Sequence, residues 1–140
     1  MKILVIEDSS KHLRDAAKFF STQHPEIKIE YVTSIDPRWD IKPGAFDGVI
    51  SDIFFPPKGC SQEEPVGVAV MIICRELGIP CILNTTGYHH GPRYDWIVSL
   101  QRAIGLPNMV DATEDRYAEA ETKNWAGALE ALMRVVNEAE

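Results

Sequence analysis

No apolar run in the chain approaches the ~18 residues that a membrane-spanning helix needs, so the sequence predicts no span. Cysteine is sparse and unpatterned. Cys60, Cys74 and Cys81 have no metal-ligand spacing and no even-numbered framework, and two of them lie in apolar runs. That pattern fits reduced thiols in a cytosolic protein. Positive charge is also scarce. Fourteen Lys and Arg against 21 Asp and Glu leave a net charge of −7, which argues against a nucleic-acid-binding face. Met1-Lys2 runs straight into a strand pattern, without the order of segments that marks a signal peptide. No internal repeat or linker is visible. A chain of 140 residues, 45% of them hydrophobic, suits a single domain over residues 1–140.

What is present is alternation. Residues 2–6 are apolar after Lys2 and β-branched in part, as in a strand buried on both faces. Ser9 or Ser10 can cap a following helix carrying Leu13, Ala16, Ala17 and Phe20 at helical spacing, which Pro25 stops. Ile27, Ile29 and Tyr31 alternate with polar residues as in an outer strand. Pro37, Pro43 and Gly44 leave room for only a short helix within 34–45. Residues 47–53 form a third strand, and residues 56–65 a polar, Pro-rich loop. A nearly all-apolar helix follows from Pro65, at its first helical position, to Leu77, with Gly78 as its cap. Cys81-Ile82-Leu83 make a fourth strand. Trp96, Ile97, Leu100 and Ile104 mark another helix, and Trp125, Ala128, Leu129, Leu132, Met133 and Val136 a last one. The order predicts an α/β fold, a doubly wound parallel sheet with helices on both faces. Ligands of such sheets bind beyond the carboxyl ends of the strands.

Glu7, Asp8, Asp52 and Thr85 all fall at predicted carboxyl ends of strands. Three like charges so close need a cation, and hard carboxylate oxygens suit Mg²⁺. With the charge screened, Asp52 can attack phosphorus and the Thr85 hydroxyl can bond a phosphoryl oxygen. Each residue also has a simpler use. Asp52 can cap a turn, Glu7 and Asp8 can favour the positive end of the first helix, and Thr85-Thr86 can merely end a strand. The acidic stretch Glu114-Asp115, Glu119 and Glu121 reads as a solvated face. His89-His90 and Cys60 read as ordinary loop residues rather than metal ligands.

Three stretches together, Ile3-Leu4-Val5-Ile6-Glu7-Asp8-Ser9, Asp47-Gly48-Val49-Ile50-Ser51-Asp52-Ile53-Phe54-Phe55-Pro56 and Ile79-Pro80-Cys81-Ile82-Leu83-Asn84-Thr85-Thr86, resemble the receiver domain of two-component response regulators. The resemblance spans nearly the whole chain. It implies a flavodoxin-like five-stranded parallel sheet in the order 2-1-3-4-5. It implies Asp52 as phosphoacceptor, and Mg²⁺ held by Glu7, Asp8, Asp52 and the backbone carbonyl of Phe54. Thr85 is then the hydroxyl that responds to phosphorylation, and Gly67 resembles the small residue opening the third helix. As partners it implies a sensor histidine kinase or phosphotransfer protein and a downstream protein, with a homodimer open, in the cytoplasm and with no output domain following. The implied protein is not an enzyme beyond slow loss of its own phosphoryl group.

Departures accompany the resemblance. The loops 56–65 and 87–93 are longer than the family's. The fifth strand has two placements. At 118–122 it leads into Thr122-Lys123-Asn124-Trp125, resembling the family's Thr-Lys-Pro-Phe and making Lys123 the phosphate-binding lysine. At 108–112 it brings no lysine with it. Ala120 or Met109 then stands where the family often has an aromatic switch residue. These departures motivate an alternative, a receiver-like interaction module that works without phosphate. A phosphohydrolase using Asp52 as nucleophile is the third possibility. The residue two positions on is Phe54 rather than a general acid, which disfavours it.

Overall fold

The computed structural model describes residues 1–87, 94–107, 109–113 and 120–139. Five strands, β1 (Lys2–Ile6), β2 (Lys28–Val32), β3 (Gly48–Ser51), β4 (Cys81–Thr85) and β5 (Val110–Asp111), form one parallel sheet in the order β2-β1-β3-β4-β5. Between and after them lie α1 (Ser10–Gln23), α2 (Pro37–Asp40), α3 (Val66–Leu77), α4 (Trp96–Ala103) and α5 (Trp125–Ala139). This is the doubly wound arrangement that the alternation predicts.

The sheet has two buried faces, which is why β1, β3 and β4 read as continuous apolar runs. Val5, Ile50 and Ile82 stand in register across β1, β3 and β4. Their face is covered by Ala16 and Phe20 of α1 and by Trp125, Ala128, Leu129 and Leu132 of α5. On the other face, Leu4, Ile6 and Val49 pack with Val70 and Cys74 of α3. Leu83 packs there with Met71 of α3 and Ile97 of α4. β2 is an edge strand and only half-buried.

Caps set the helix ends. The Ser9 hydroxyl accepts from the His12 N–H at the start of α1. Asp36 does the same for α2 through the Arg38 N–H at 3.1 Å, so the Pro-rich stretch yields one short turn of helix. Gly78 closes α3 in the left-handed region at φ 70°. Pro65 stands at the cap of α3 rather than at its first helical position.

The fifth strand takes the second of its two placements, the one at 108–112. It is two residues long and pairs Val110 and Asp111 with Asn84 and Thr85. Residues 120–122 belong to no strand. The loop 87–93 beyond Gly87, with His89 and His90, lies outside the described residues, as does the acidic stretch from Glu114 to Glu119.

Candidate phosphoacceptor site

Parallel pairing continues one residue past the strands and fixes the acidic groups. The Glu7 N–H donates to the Val32 carbonyl at 3.0 Å, and the Asp52 N–H to the Ile6 carbonyl at 2.9 Å. One carboxylate oxygen from each of Glu7, Asp8 and Asp52 lies within 4.8 Å of the others. Asp52 Oδ1 also accepts from the Ile53 N–H at 2.8 Å, which orients the carboxylate. These residues line an open cavity of about 320 Å³ together with Phe54, Thr85 and Lys123.

Lys123 reaches the site although β5 ends at Asp111. Its ammonium lies 2.7 Å from Glu7 Oε2 and 3.2 Å from Asp52 Oδ1, and the side chain is buried. The two placements weighed from sequence therefore each hold one part of the truth. The strand is the nearer one, and the lysine is nonetheless in the site. It arrives on an irregular segment held at three points. The Ala120 N–H donates to the Thr86 carbonyl at 2.8 Å. Lys11 Nζ donates to the Glu121 carbonyl at 2.6 Å. Asn124, where the family resemblance leads one to expect proline, accepts the Gly127 N–H at 2.8 Å and caps α5.

Thr85 ends β4 with its hydroxyl accepting from the Gly87 N–H at 3.2 Å, its own proton remaining free to point elsewhere. Gly67 opens α3 with its N–H on the Ile53 carbonyl at 2.9 Å. The space its missing Cβ would take is occupied by the Asp52 carbonyl oxygen and by Ile53 Cα, 2.8 Å away. Phe54 lies in the cavity wall, its ring edge-on to Tyr94 at 4.9 Å between centroids. Met109, one of the two candidates for the switch position, packs beside Ile97 and Leu100 instead of presenting a ring.

Three lining residues were missed from the sequence. His12 lies one helical turn past Asp8, a spacing that could have drawn attention to it. Glu63 comes from the polar loop, which folds back through mutual hydrogen bonds between Phe55 and Glu64 at 3.2 and 3.3 Å. Nothing in its local pattern announces it. Tyr94 supplies an aromatic ring from ahead of α4.

Burial is the main electrostatic fact. It pushes the Glu7 carboxyl up to about 8; the Lys123 ammonium opposes this and the Asp52 charge adds to it. Asp8 is raised to about 6, again by burial first, then by the charges of Asp52 and Glu63. Burial and the nearby Lys123 lower His12. Glu7 Oε1 is buried with no hydrogen-bond partner among the described residues. A buried, unpartnered carboxylate oxygen beside two more carboxylates is a donor set that fits a hard divalent cation.

The folded protein holds protons on Glu7 and Asp8 that the unfolded chain releases near 4.5 and 3.8. Stability without metal is thus expected to fall as pH rises from about 4, the share of Asp8 being lost by about 6 and that of Glu7 by about 8. Ligation needs the ionised carboxylates, so Mg²⁺ affinity is expected to rise over the same window with release of protons. Calorimetry in buffers of different ionisation enthalpy reads this directly. Binding without proton release between pH 6 and 8 contradicts it.

The same fold occurs in the crystal structure of a response regulator receiver protein from Pseudoalteromonas atlantica. The two match with a TM-score of 0.63 and 10% sequence identity, over 100% of both chains. The fold is a receiver fold. No protein-family model and no curated protein matches the sequence. At this identity the likeness carries the architecture alone, and the acidic cluster resembles a receiver active site on the strength of its own geometry. No helix among the described residues is long and apolar enough to cross a membrane.

Proposed function

We propose that this chain is a phosphorylation-dependent signalling domain in which Asp52 takes a phosphoryl group from the phosphohistidine of a sensor kinase or phosphotransfer protein. The carrying observation is Lys123, whose ammonium stands between Glu7 and Asp52 in an otherwise acidic cavity. An Asp52 carboxylate oxygen attacks phosphorus, the bond from phosphorus to the imidazole nitrogen breaks, and its electron pair returns to the imidazole. Glu7, Asp8, Asp52 and the Phe54 carbonyl would hold Mg²⁺, which supplies charge neutralisation for the transferring group. Lys123 and the Thr85 hydroxyl bind the phosphoryl oxygens of the product.

Signalling then runs through protein contacts on α4, β5 and α5, where Trp96 is an exposed aromatic anchor. Of the long loops, the lysine and the missing aromatic ring that motivate a module without phosphate, the lysine is answered by the Lys123 contacts, which support phosphate chemistry. The phosphohydrolase reading gains no support, since the position two residues past Asp52 carries an apolar ring packed on Tyr94. Incubation with acetyl phosphate and Mg²⁺ is expected to label the native protein and leave Asp52→Asn unlabelled. Equal labelling of that variant sinks the assignment.

A further inference from the structure

The row of side chains containing Glu7 and Asp52 has a third member. β3 and β4 pair Ile50 with Ile82 and Ser51 with Leu83, so the same register places Asn84 beside Asp52. Neighbouring strands lie about 4.8 Å apart. Alternation puts Asn84 on the face of Ile82, the face that Trp125 covers and from which Lys123 enters. Asn84 is fully buried. Neither its Oδ1 nor its Nδ2 has a hydrogen-bond partner among the described residues. An apolar residue would fill this position at less cost, because a buried amide without partners is destabilising.

We propose that Asn84 is a positioning residue for the Lys123 ammonium, taking over as its acceptor when Glu7 and Asp52 are engaged by a cation and a phosphoryl group. The proposal rests on the phosphoacceptor reading. Lys123 now gives a hydrogen bond to Glu7 and pairs with Asp52 as an ion, the two carboxylates that cation binding and phosphorylation would use. One of its three N–H donors then goes to a phosphoryl oxygen, and the donors left over need another acceptor. The described buried side-chain oxygens without a partner are Glu7 Oε1, Asp15 Oδ2 and Asn84 Oδ1. The first belongs to the same carboxylate, and Asp15 lies on α1 rather than among the strand ends. Asn84 Oδ1 is neutral, so it can hold the ammonium without competing for the cation. Its Nδ2 can donate to the Asp52 oxygen that Lys123 leaves.

The test uses Asn84→Leu, which keeps the branching at Cγ and removes both polar atoms, and Asn84→Ala, which asks the core to accept no new volume. Two quantities are measured, the melting temperature without metal and the apparent affinity for beryllofluoride in saturating Mg²⁺. Trp125 fluorescence serves as signal, its ring lying 6.0 Å from the Lys123 ammonium. Asn84→Leu is expected to melt higher by roughly 2–6 °C. Both variants are expected to bind beryllofluoride about tenfold more weakly. Binding within twofold of the native protein in either variant overturns the proposal, because the amide is then only a core defect. A native protein that shows no Mg²⁺-dependent response refutes the phosphoacceptor reading itself, an outcome separate from any difference among the Asn84 variants.

Discussion

Replacing Gly67 with alanine is expected to lower the melting temperature by roughly 5–15 °C and to remove the response to Mg²⁺ and beryllofluoride, the reverse of what helix propensity alone implies. Alanine ordinarily favours a helix over glycine by ~0.5–1 kcal/mol. At Gly67 that gain is outweighed, because the added methyl runs into the Asp52 carbonyl oxygen and lies 2.8 Å from Ile53 Cα. Both obstacles are backbone, so neither can turn aside as a side chain would. Either α3 lifts off β3, breaking the bond from the Gly67 N–H to the Ile53 carbonyl, or the main chain at Asp52 shifts. Each outcome moves the carboxylate that the site depends on. Thermal melting and beryllofluoride titration of Gly67→Ala check this. Native values for both contradict the packing described here.

The second large effect belongs to Lys123. Lys123→Met removes the ammonium from a fully buried carboxylate, and breaking a buried pair costs ~3–5 kcal/mol when the remaining charge is stranded. Glu7 has an escape, since burial already holds its carboxyl up at about 8 and it can take a proton. The expected loss at neutral pH is therefore smaller, ~2 kcal/mol, and it grows as pH rises. Function is expected to split. Mg²⁺ binding survives, because the three carboxylates remain and a competing cation is gone. Acceptance of the phosphoryl group falls by at least ~100-fold, the usual effect of deleting one buried donor to a transferring group. Mg²⁺ titration beside acetyl phosphate labelling separates the two. Loss of both to the same degree would make Lys123 a structural residue only.

That strand ends pointed to the acidic cluster, while only a resemblance to Thr-Lys-Pro-Phe pointed to its lysine, has a physical basis. Glu7, Asp8, Asp52 and Thr85 sit at the ends of strands whose apolar runs mark their own limits, and parallel pairing then aligns those ends. Position in sequence becomes position in space by regular geometry. Lys123 has no such rule. It leaves an irregular segment twelve residues beyond the last strand, and an ion pair with a group 116 residues away places it. β5 gave little signal because two residues carry no periodicity. In the sequence Asn84 is only the residue between the apolar run Cys81-Ile82-Leu83 and Thr85. The meaning of its polarity emerged once the register set it beside Asp52. Glu63 enters the cavity from the stretch between β3 and α3, whose path depends on tertiary contacts, and Tyr94 enters from just ahead of α4.

The most direct test of the central claim, that Asp52 accepts phosphoryl groups in a Mg²⁺ site completed by Lys123, is an NMR titration with beryllofluoride in the presence and absence of Mg²⁺. The amides of Asp52, Ile53, Thr85 and Lys123 are expected to shift together only when both are present, and Asp52→Asn is expected to abolish the change. Shifts that do not require Mg²⁺, or that persist in Asp52→Asn, contradict it.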